Sequence, residues 1–350
     1  MKIGLTFDLR PEDGRTYVCG NDHGVEWDKM STIRHLEAAI TGLGHKTVLI
    51  GNIHHVLSDI ETINVLDLVF NICEGVGAMS REGQVPAILD ALGMPYTFAD
   101  PLTMCMCLHK MITKRMLMQW GISTPTAVLA GSVEELNELH LPRFPIIVKP
   151  AHEGTSIGID SGAVVYNQKE LAARVDFILT TYRQCALIEE FITGKEITVG
   201  ILGTGLDARV MGSAVINVKN TGLAVYGVYE KESCEELVTY EVTTPGEEVA
   251  DLALNAYRIM GCRDAGRVDL ITCNKGHPTV LEVNPLPGLH PSHSDLPIIA
   301  KGVGLGYDQM IENILLSASK RKRGIVNISD FHLRSVITDS KKGGSQNISS

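Results

Sequence analysis

The segment at residues 261–288, GCRDAGRVDLITCNKGHPTVLEVNPLPG, constrains the fold of this chain more than any other. Two runs of β-branched and apolar residues, 267–272 and 279–283, flank a short stretch that contains Asn, Gly and Pro. Apolar runs of this kind, separated by turn-forming residues, predict a β-hairpin.

This hairpin would gather polar side chains on one face. Side chains two residues apart share a face of a strand, so Arg267 projects with Asp269, and Glu282 projects with Asn284. Two carboxylates and an amide oxygen suit Mg²⁺, which takes its other ligands from water and nucleotide phosphates. The alternative is a surface hairpin with solvated acidic residues. Evidence from other segments of the chain is needed to choose between these two interpretations.

Composition limits the classes of function. At 350 residues, the chain is long enough for two or three packed units, and its net charge of −10 argues against a nucleic-acid-binding surface. Its eight cysteines are scattered without the spacing of a zinc site, which favours free thiols in a reducing cytosol. No apolar run is long enough to cross a membrane, and no leader pattern is present. We therefore expect a soluble cytoplasmic protein with no nucleic-acid or membrane partner.

The amino-terminal part alternates strand and helix patterns. Strands are predicted at 3–7, 46–50 and 66–72, and helices at 28–43 and 84–92. Alternation of this kind predicts a parallel sheet with a ligand crevice at the carboxyl ends of its strands. Three polar residues fall at that edge, either as substrate contacts or as part of a polar loop: Glu74, Arg81 and Glu82.

Two polar segments have open interpretations. The loop at 8–28 either covers the crevice or is mobile. From Lys320 onward, a KRKRG run and many small polar residues predict a flexible, solvated tail, with a nuclear signal as the alternative.

Two further segments carry features of a nucleotide site. A helix predicted at 101–120 contains Lys110, and the segment FPIIVKPAHEGTSIGI at 144–159 reads as a strand that ends at Lys149 and a loop rich in Gly, Ser and Thr. Such a loop offers N–H and hydroxyl donors to phosphate oxygens, although the sequence lacks the Walker A pattern. A flexible turn is the alternative.

The segment ALIEEFITGKEITVGIL, 186–202, reads as strand, Gly turn and strand. Its glutamates, Glu189, Glu190 and Glu196, could accept hydrogen bonds from ribose or adenine, and Ile192 could pack on the base. A charged strand end at the surface is the alternative.

The order of these segments resembles the ATP-grasp superfamily, and within it D-alanine–D-alanine ligase and its relatives, over about residues 66–318. REGQVPAILDALGMPYT at 81–97 and SHS at 292–294 add to the likeness. The resemblance implies an α/β chain in which an ATP-grasp fold, two α+β subdomains clasping ATP, follows a parallel-sheet, Rossmann-like amino-terminal domain. The domains expected are 1–100, 101–318 with a lid subdomain at about 115–187, and a tail at 319–350 that is expected to be flexible.

The resemblance also assigns roles to residues. It implies that ATP is bound by the set Lys110, Lys149, Glu153, Thr155, Ser156, Ile157, Glu189, Glu190, Ile192, Glu196 and Leu281. Two Mg²⁺ ions, with Mn²⁺ as a substitute, would be held by Asp269, Glu282 and Asn284. The catalytic set implied is Arg267, Lys231, Gly288 and Ser156, and the substrate contacts are Ser294, Glu74, Arg81 and Glu82.

The activity implied is ATP-dependent ligation of a carboxylate to an amine through an acyl phosphate. The product would be D-alanyl-D-alanine or a related dipeptide, with release of ADP and phosphate. A homodimer is also expected, because relatives commonly form one.

Three departures from the family pattern all lie on the side of the first, or donor, amino acid. The glycine-rich first loop is replaced by GLTFDLRPEDG at 4–14, a His expected after the third strand is absent around Glu74, and Glu232 replaces the Tyr after the lid Lys. A ligase that joins an amino acid to a different carboxylate is therefore an alternative, and a nucleotide-binding regulator without turnover is another.

Overall fold

The computed structural model describes residues 1–10, 26–77, 79–218, 238–272 and 277–321. In its amino-terminal part, strands β1 (Lys2–Phe7), β2 (Lys46–Gly51) and β3 (Leu68–Ile72) form a parallel sheet in the order β2-β1-β3. The helices here are α1 (Met30–Gly42), α2 (Ile53–Ser58), α3 (Ile60–Asn64) and α4 (Gln84–Ala91). The predicted parallel opening is confirmed.

This sheet forms because its apolar residues are buried on both faces. All five residues of β3 are buried, as expected for a central or doubly covered parallel strand. On α1, Ile33, Leu36 and Ile40 recur at helical spacing and are fully buried. Asp8 directly follows β1 and Cys73 directly follows β3, so both lie at the carboxyl end of this parallel sheet.

The helix predicted over 101–120 is instead two helices, α5 (Pro101–Leu108) and α6 (Lys110–Gln119), so the prediction of one helix is wrong. His109 between them has extended backbone angles, φ −87° and ψ 94°, and its ring accepts a hydrogen bond from the Ile112 amide. The Lys110 N–H donates to the Ala151 carbonyl instead of continuing the first helix. Helix α6 therefore begins against the loop that follows Lys149.

An antiparallel sheet of four described strands follows, in the order β4-β7-β5-β6. Its strands are β4 (Ala127–Ala130), β5 (Ile146–Pro150), β6 (Val164–Val165) and β7 (Ala186–Glu190), and helix α7 (Gln168–Tyr182) packs on β5. Ile146, Val148 and Ile188 of the sheet and Leu171 and Ile178 of the helix share one buried cluster. This sheet and its helix form one wall of the candidate active site.

The second antiparallel sheet has the order β10-β9-β8-β11-β12. Its strands are β8 (Lys195–Leu202), β9 (Arg209–Val218), β10 (Val238–Thr243), β11 (Ala265–Thr272) and β12 (Thr279–Asn284). The remaining described helices are α8 (Glu247–Ile259), α9 (Asp295–Gly302) and α10 (Tyr307–Ser319). Strands β7 and β8 are close in sequence but belong to different sheets, so residues 191–194 connect the two walls of the site.

The carboxyl-terminal helix joins this sheet to the amino-terminal part. Met310, Ile311 and Ile314 of α10 belong to the same buried cluster as Ile33 and Leu36 of α1. None of the described helices is long and apolar enough to cross a membrane.

Candidate active site

A cavity lies between the two antiparallel sheets. Its volume is about 1010 Å³ when the part open to solvent is included. Nearly all of the predicted ATP-binding residues line it: Lys110, Lys149, Glu153, Ser156, Ile157, Glu189, Glu190, Ile192, Glu196 and Leu281. Thr155, the remaining predicted ATP contact, lines an adjoining cavity. Segments that lie up to about 170 residues apart in the chain thus meet around one space.

A buried carboxylate, positioned between two lysines, lines this cavity. Glu189 is 2 % exposed, and its two oxygens lie 3.2 Å from Lys149 Nζ and 2.9 Å from Lys114 Nζ. Burial alone would raise the pKa of Glu189, but the two ammonium groups hold it below its ordinary value. Both carboxylate oxygens of Glu189 are therefore paired with an ammonium group on the cavity wall.

Sequence reasoning did not place Lys114 in the site. It lies one helical turn after Lys110 on α6, which puts both side chains on the same helix face. Its ammonium is 2 % exposed and also donates to Thr124 Oγ1 at 3.0 Å. Burial lowers the pKa of Lys114 despite the attraction of Glu189. The i, i+4 spacing of the two lysines was the available signal.

The loop after β5 contains residues in the left-handed backbone region. Thr155 and Ser156 have positive φ angles of 47° and 58°, and Gly158 follows at 73°. A left-handed conformation is unfavourable for a β-branched residue such as Thr155, and it persists where the surrounding structure imposes it. Successive amides in such turns form concave donor sites for phosphates. Phosphate binding by this loop stays a prediction.

Lys110 connects this loop to the hairpin. Its ammonium donates to the Glu153 carbonyl at 2.6 Å and to Glu282 Oε2 at 3.0 Å. The side chain is buried, so the positive charge is concentrated where the two segments meet.

The predicted hairpin forms, with Asp269 opposite Glu282 and Arg267 opposite Asn284. Asp269 accepts hydrogen bonds from Thr198 Oγ1 and Asn284 Nδ2, each at 2.9 Å. Within the described ranges, no group of three or more His, Cys, Asp or Glu side chains is placed to hold a metal ion. The donor set on the hairpin is therefore two carboxylates and one amide. These hard oxygen ligands fit Mg²⁺, which needs only one or two carboxylates beside phosphates.

Arg267 lies between two carboxylates. One guanidinium nitrogen pairs with Asp295, and another lies 3.4 Å from Asp269 Oδ2. Asp295 in turn accepts from the Tyr240 hydroxyl at 2.9 Å. Sequence reasoning did not single out Asp295, although it directly follows the SHS run that ends at Ser294.

A second cavity, of about 1380 Å³ with its open part included, adjoins the first. Lys110, Glu153, Arg267, Glu282 and Asp295 line both cavities. The second is also lined by predicted substrate, catalytic and metal residues: Glu74, Glu82, Asn284, Gly288 and Ser294.

Near Gly288, the Ser294 hydroxyl accepts from the His290 amide at 3.0 Å. The loop after β12 is thereby folded back on the start of α9. This contact places Ser294 and Gly288 on one wall of the second cavity.

Arg81, predicted as a substrate contact, lines neither cavity. Its guanidinium is buried, donating to the His152 carbonyl at 2.9 Å and to Glu26 Oε2 at 2.7 Å, and lying 3.4 Å from Glu153 Oε2. Glu26 also accepts from the Gly154 amide at 2.7 Å. Arg81 and Glu26 thus support the phosphate loop from the amino-terminal side, a role that the sequence did not indicate.

Lys231, predicted as a catalytic residue, lies outside the described residues, as does Glu232. Most of the loop at 8–28 and nearly all of the tail at 319–350 are outside them as well.

Comparison with known proteins gives one consistent family. The family profile described as D-ala D-ala ligase C-terminus matches residues 128–316. The uncharacterized protein y4sG of Sinorhizobium fredii is 32% identical over 302 residues, covering 82% of this chain and 87% of that protein. The D-alanine–D-alanine ligase of Bordetella petrii is 33% identical over 251 residues, covering 69% of this chain and 74% of the ligase.

Solved structures agree in fold. The D-alanine–D-alanine ligase from Bacillus anthracis complexed with ATP superposes with a TM-score of 0.70 at 23% identity, covering 91% of this chain and 98% of that one. The VanG D-Ala:D-Ser ligase from Enterococcus faecalis gives a TM-score of 0.67 at 20% identity, covering 91% and 99%.

Proposed function

This chain belongs to the D-alanine–D-alanine ligase family of ATP-grasp proteins, and from that premise we propose that it is an ATP-dependent carboxylate–amine ligase. It joins the carboxylate of one amino acid to the amine of a second, giving D-alanyl-D-alanine or a related dipeptide. ADP and phosphate are the other products.

One observation carries this proposal: lysine and carboxylate side chains from separate elements line a single cavity. Lys110 and Lys149 come from α6 and β5, and Asp269 and Glu282 come from the hairpin. A second cavity, large enough for small molecules, shares the Lys110 and Glu282 wall. ATP and two amino acids can therefore meet at that shared wall.

The chemistry proceeds in two balanced steps. A carboxylate oxygen of the first amino acid attacks the γ-phosphorus of ATP, and the bond from that phosphorus to the β,γ-bridging oxygen breaks, so ADP leaves. The amine of the second amino acid then attacks the acyl carbon, the carbon–oxygen bond to phosphate breaks, and the amine loses a proton. The cationic side chains of Lys110, Lys149 and Arg267 stabilise charge on the transferring phosphoryl group, which is the main source of catalysis in such reactions.

Asp269, Glu282 and Asn284 would hold Mg²⁺, or Mn²⁺ in its place, and two ions fit the proposed reaction. When bound, the cation would neutralise phosphate charge beside these residues. Gly288 and Ser294 line the second cavity, where the Gly288 amide and the Ser294 hydroxyl would receive the acyl oxygen and the carboxylate of the acceptor amino acid. Ser156 and Lys231 complete the proposed catalytic set.

A second candidate is a ligase of the same mechanism that activates the carboxylate of a substrate other than alanine. The departures of 4–14 and of the loop around Glu74 from the family pattern favour it, because one described residue of each, Arg10 and Glu74, lines the second cavity. A homodimer and a cytoplasmic location stay predictions.

Turnover of paired amino acids tests the proposal. Purified protein with ATP and Mg²⁺ is expected to release ADP and phosphate when D-alanine is present, with a dipeptide detected by mass. Glu282→Gln is expected to reduce turnover at least about 100-fold, because it removes a metal ligand and the partner of Lys110. Glu138→Gln, which changes an exposed carboxylate, is the matched control. Full activity of Glu282→Gln would contradict the assigned role of the hairpin.

A further inference from the structure

Asp295 is a buried carboxylate to which the proposed chemistry gives no role. It is the first residue of α9, directly after Ser294, and it lines both cavities. Its side chain is 9 % exposed, and both of its oxygens have partners. Oδ2 accepts a hydrogen bond from Arg267, and Oδ1 accepts one from the Tyr240 hydroxyl at 2.9 Å. A buried carboxylate is costly unless it is paired, so the role of Asp295 has to be sought in the partner that it pairs with.

That partner, Arg267, lies between carboxylates on two different elements. One terminal nitrogen forms a hydrogen-bonded ion pair with Asp295 on α9. Another lies 3.4 Å from Asp269 Oδ2 on β11, which is long for a hydrogen bond from nitrogen to oxygen. Arg267 and Asp269 are two residues apart on the same strand, so their side chains share a face. The guanidinium is therefore held more closely by the helix than by its own strand.

Asp269 is the carboxylate that has to exchange partners when the site is occupied. In the free protein it accepts hydrogen bonds from Thr198 Oγ1 and Asn284 Nδ2, each at 2.9 Å, beside the guanidinium of Arg267. With Mg²⁺ bound there, Asp269 would share its negative charge with the cation, and Arg267 would be repelled by it. An arginine that depended on Asp269 would then either leave the cavity wall or oppose cation binding.

We propose that Asp295 is a positioning residue that keeps Arg267 in the site, and off Asp269, when Mg²⁺ is bound. This inference rests on the proposed function, in which Asp269 holds the cation and Arg267 stabilises the transferring phosphoryl group. Asp295 itself is not a ligand of the cation, because its two oxygens are engaged by Arg267 and Tyr240.

The three side chains form a connected series from separate elements. Tyr240 is on β10, Asp295 on α9 and Arg267 on β11. A guanidinium is planar, with its N–H groups in fixed directions, so pairing one terminal nitrogen restricts the orientation of the whole group. Tyr240 restricts Asp295 in the same way through its hydroxyl. The position of Arg267 on the cavity wall thus depends on an anion that the metal ligands do not supply.

Binding of ADP with and without Mg²⁺ tests this role independently of turnover. Asp295→Asn keeps the shape of the side chain and removes its charge, and calorimetric titration of the full chain measures the gain in ADP affinity that Mg²⁺ produces. This gain is expected to fall about tenfold in the variant, because Arg267 stays on Asp269, whereas ADP affinity without Mg²⁺ changes less than about twofold. An unchanged gain would overturn the assignment.

A second substitution identifies Arg267 as the group through which Asp295 acts. Adding Arg267→Met to Asp295→Asn removes the cation that competes for Asp269, so the gain in ADP affinity should return to within about threefold of wild type. If the double variant binds as poorly as Asp295→Asn, Asp295 acts on the bound cation directly and the assignment is wrong.

Two further variants guard against a general loss of structure. Asp308→Asn makes the same change in the first turn of α10, where the side chain is exposed, and should leave ADP binding as in wild type. If Asp295→Asn does not fold, Tyr240→Phe replaces it, because only the hydroxyl that holds Asp295 is lost. Tyr240→Phe should lower the gain from Mg²⁺ about two- to fivefold, and no change in it would overturn the assignment.

Steady-state turnover separates this inference from the ligase proposal. Asp295→Asn is expected to lower kcat at least about tenfold, with the KM of each amino acid within about threefold of wild type. Ligation by wild type with an unchanged kcat in Asp295→Asn, or with only a higher KM for the acceptor, would remove the positioning role and keep the ligase. The expected binding results without ADP release by wild type from any amino acid pair would keep the positioning of Arg267 and remove the ligase.

Discussion

The charge of Glu189, on the wall of the first cavity, is stabilised by two neighbouring lysines. Glu189 is a buried carboxylate that both Lys114 and Lys149 contact, and the pair of ammonium groups compensates for its loss of hydration. Removing one lysine leaves the carboxylate with a single partner and shifts its position on the cavity wall. Lys114 is thus a positioning residue for Glu189 and for the ligand that Glu189 would contact.

Replacement of Lys114 tests this role. Lys114→Met is expected to raise the KM for ATP about tenfold or more while kcat changes less, because Glu189 loses the group that fixes it. Steady-state kinetics with varied ATP measures the split. Arg115→Met changes an exposed neighbour on the same helix and should leave both constants within about twofold. A fall in kcat alone for Lys114→Met would contradict the positioning role.

At the scale of single residues, the sequence patterns identified side chains at the ends of predicted strands, such as Lys149 and Glu189. They missed Lys114, Glu26 and Asp295, whose importance comes from partners distant in the chain. Arg81 is the opposite case, because the sequence indicated a contact for it that differs from its partners in the structure. Its position at the sheet edge suggested a substrate contact, but its guanidinium contacts Glu26 and the His152 carbonyl, and Arg81 is not among the residues that line either cavity.

At the scale of elements, local patterns located most strands and helices but not their partners. Strands β7 and β8 were visible as two apolar runs around a Gly turn, yet they belong to different sheets. Strand pairing depends on long-range contacts that a single segment does not encode. The break at His109 is similar, because the apolar pattern continues through it and the Lys110 amide is diverted to Ala151 by tertiary structure. The hairpin was predictable because its two strands are adjacent in sequence and pair with each other.

The phosphate loop provides a prediction at this scale. Gly158 has φ 73°, and a Cβ atom there would lie 2.5 Å from Pro150 Cγ. Gly158→Ala is therefore expected to distort the loop, to raise the KM for ATP at least about tenfold, and to destabilise the fold by about 1–3 kcal/mol.

Gly42→Ala is the matched control. Gly42 lies in α1 with no atom within 4 Å of an added Cβ, so alanine there should be neutral or stabilise the helix by up to about 1 kcal/mol. Urea unfolding and ATP kinetics are measured for both variants. Wild-type ATP kinetics in Gly158→Ala would show that the left-handed loop is not required.

At the scale of the whole molecule, one buried ion pair joins three parts of the chain. Asp264, just before β11, accepts from both terminal nitrogens of Arg321 and from the Phe98 amide. Arg321 also donates to the Tyr96 carbonyl at 2.7 Å. The amino-terminal sheet, the hairpin sheet and the end of α10 are thereby fixed to one another, which keeps the two cavities adjacent.

Loss of this pair should weaken the whole fold. Arg321→Gln leaves Asp264 buried without its cation and is expected to cost about 3–5 kcal/mol of unfolding free energy. Thermal and urea unfolding measure the change. Lys320→Gln removes an exposed ion pair with Asp207 and should leave the unfolding midpoints nearly unchanged. Equal losses of stability in the two variants would show that the buried pair stabilises the fold no more than an exposed ion pair does.

The central claim, that the chain activates a carboxylate by phosphorylation, is tested most directly with isotope-labelled substrate. Alanine labelled with ¹⁸O in its carboxylate is incubated with ATP, Mg²⁺ and the purified protein, and the phosphate and nucleotide products are analysed by mass. The structure predicts ADP and one ¹⁸O atom transferred to the released phosphate in step with dipeptide formation. Dipeptide formed with AMP and pyrophosphate, or phosphate without the label, would contradict the account.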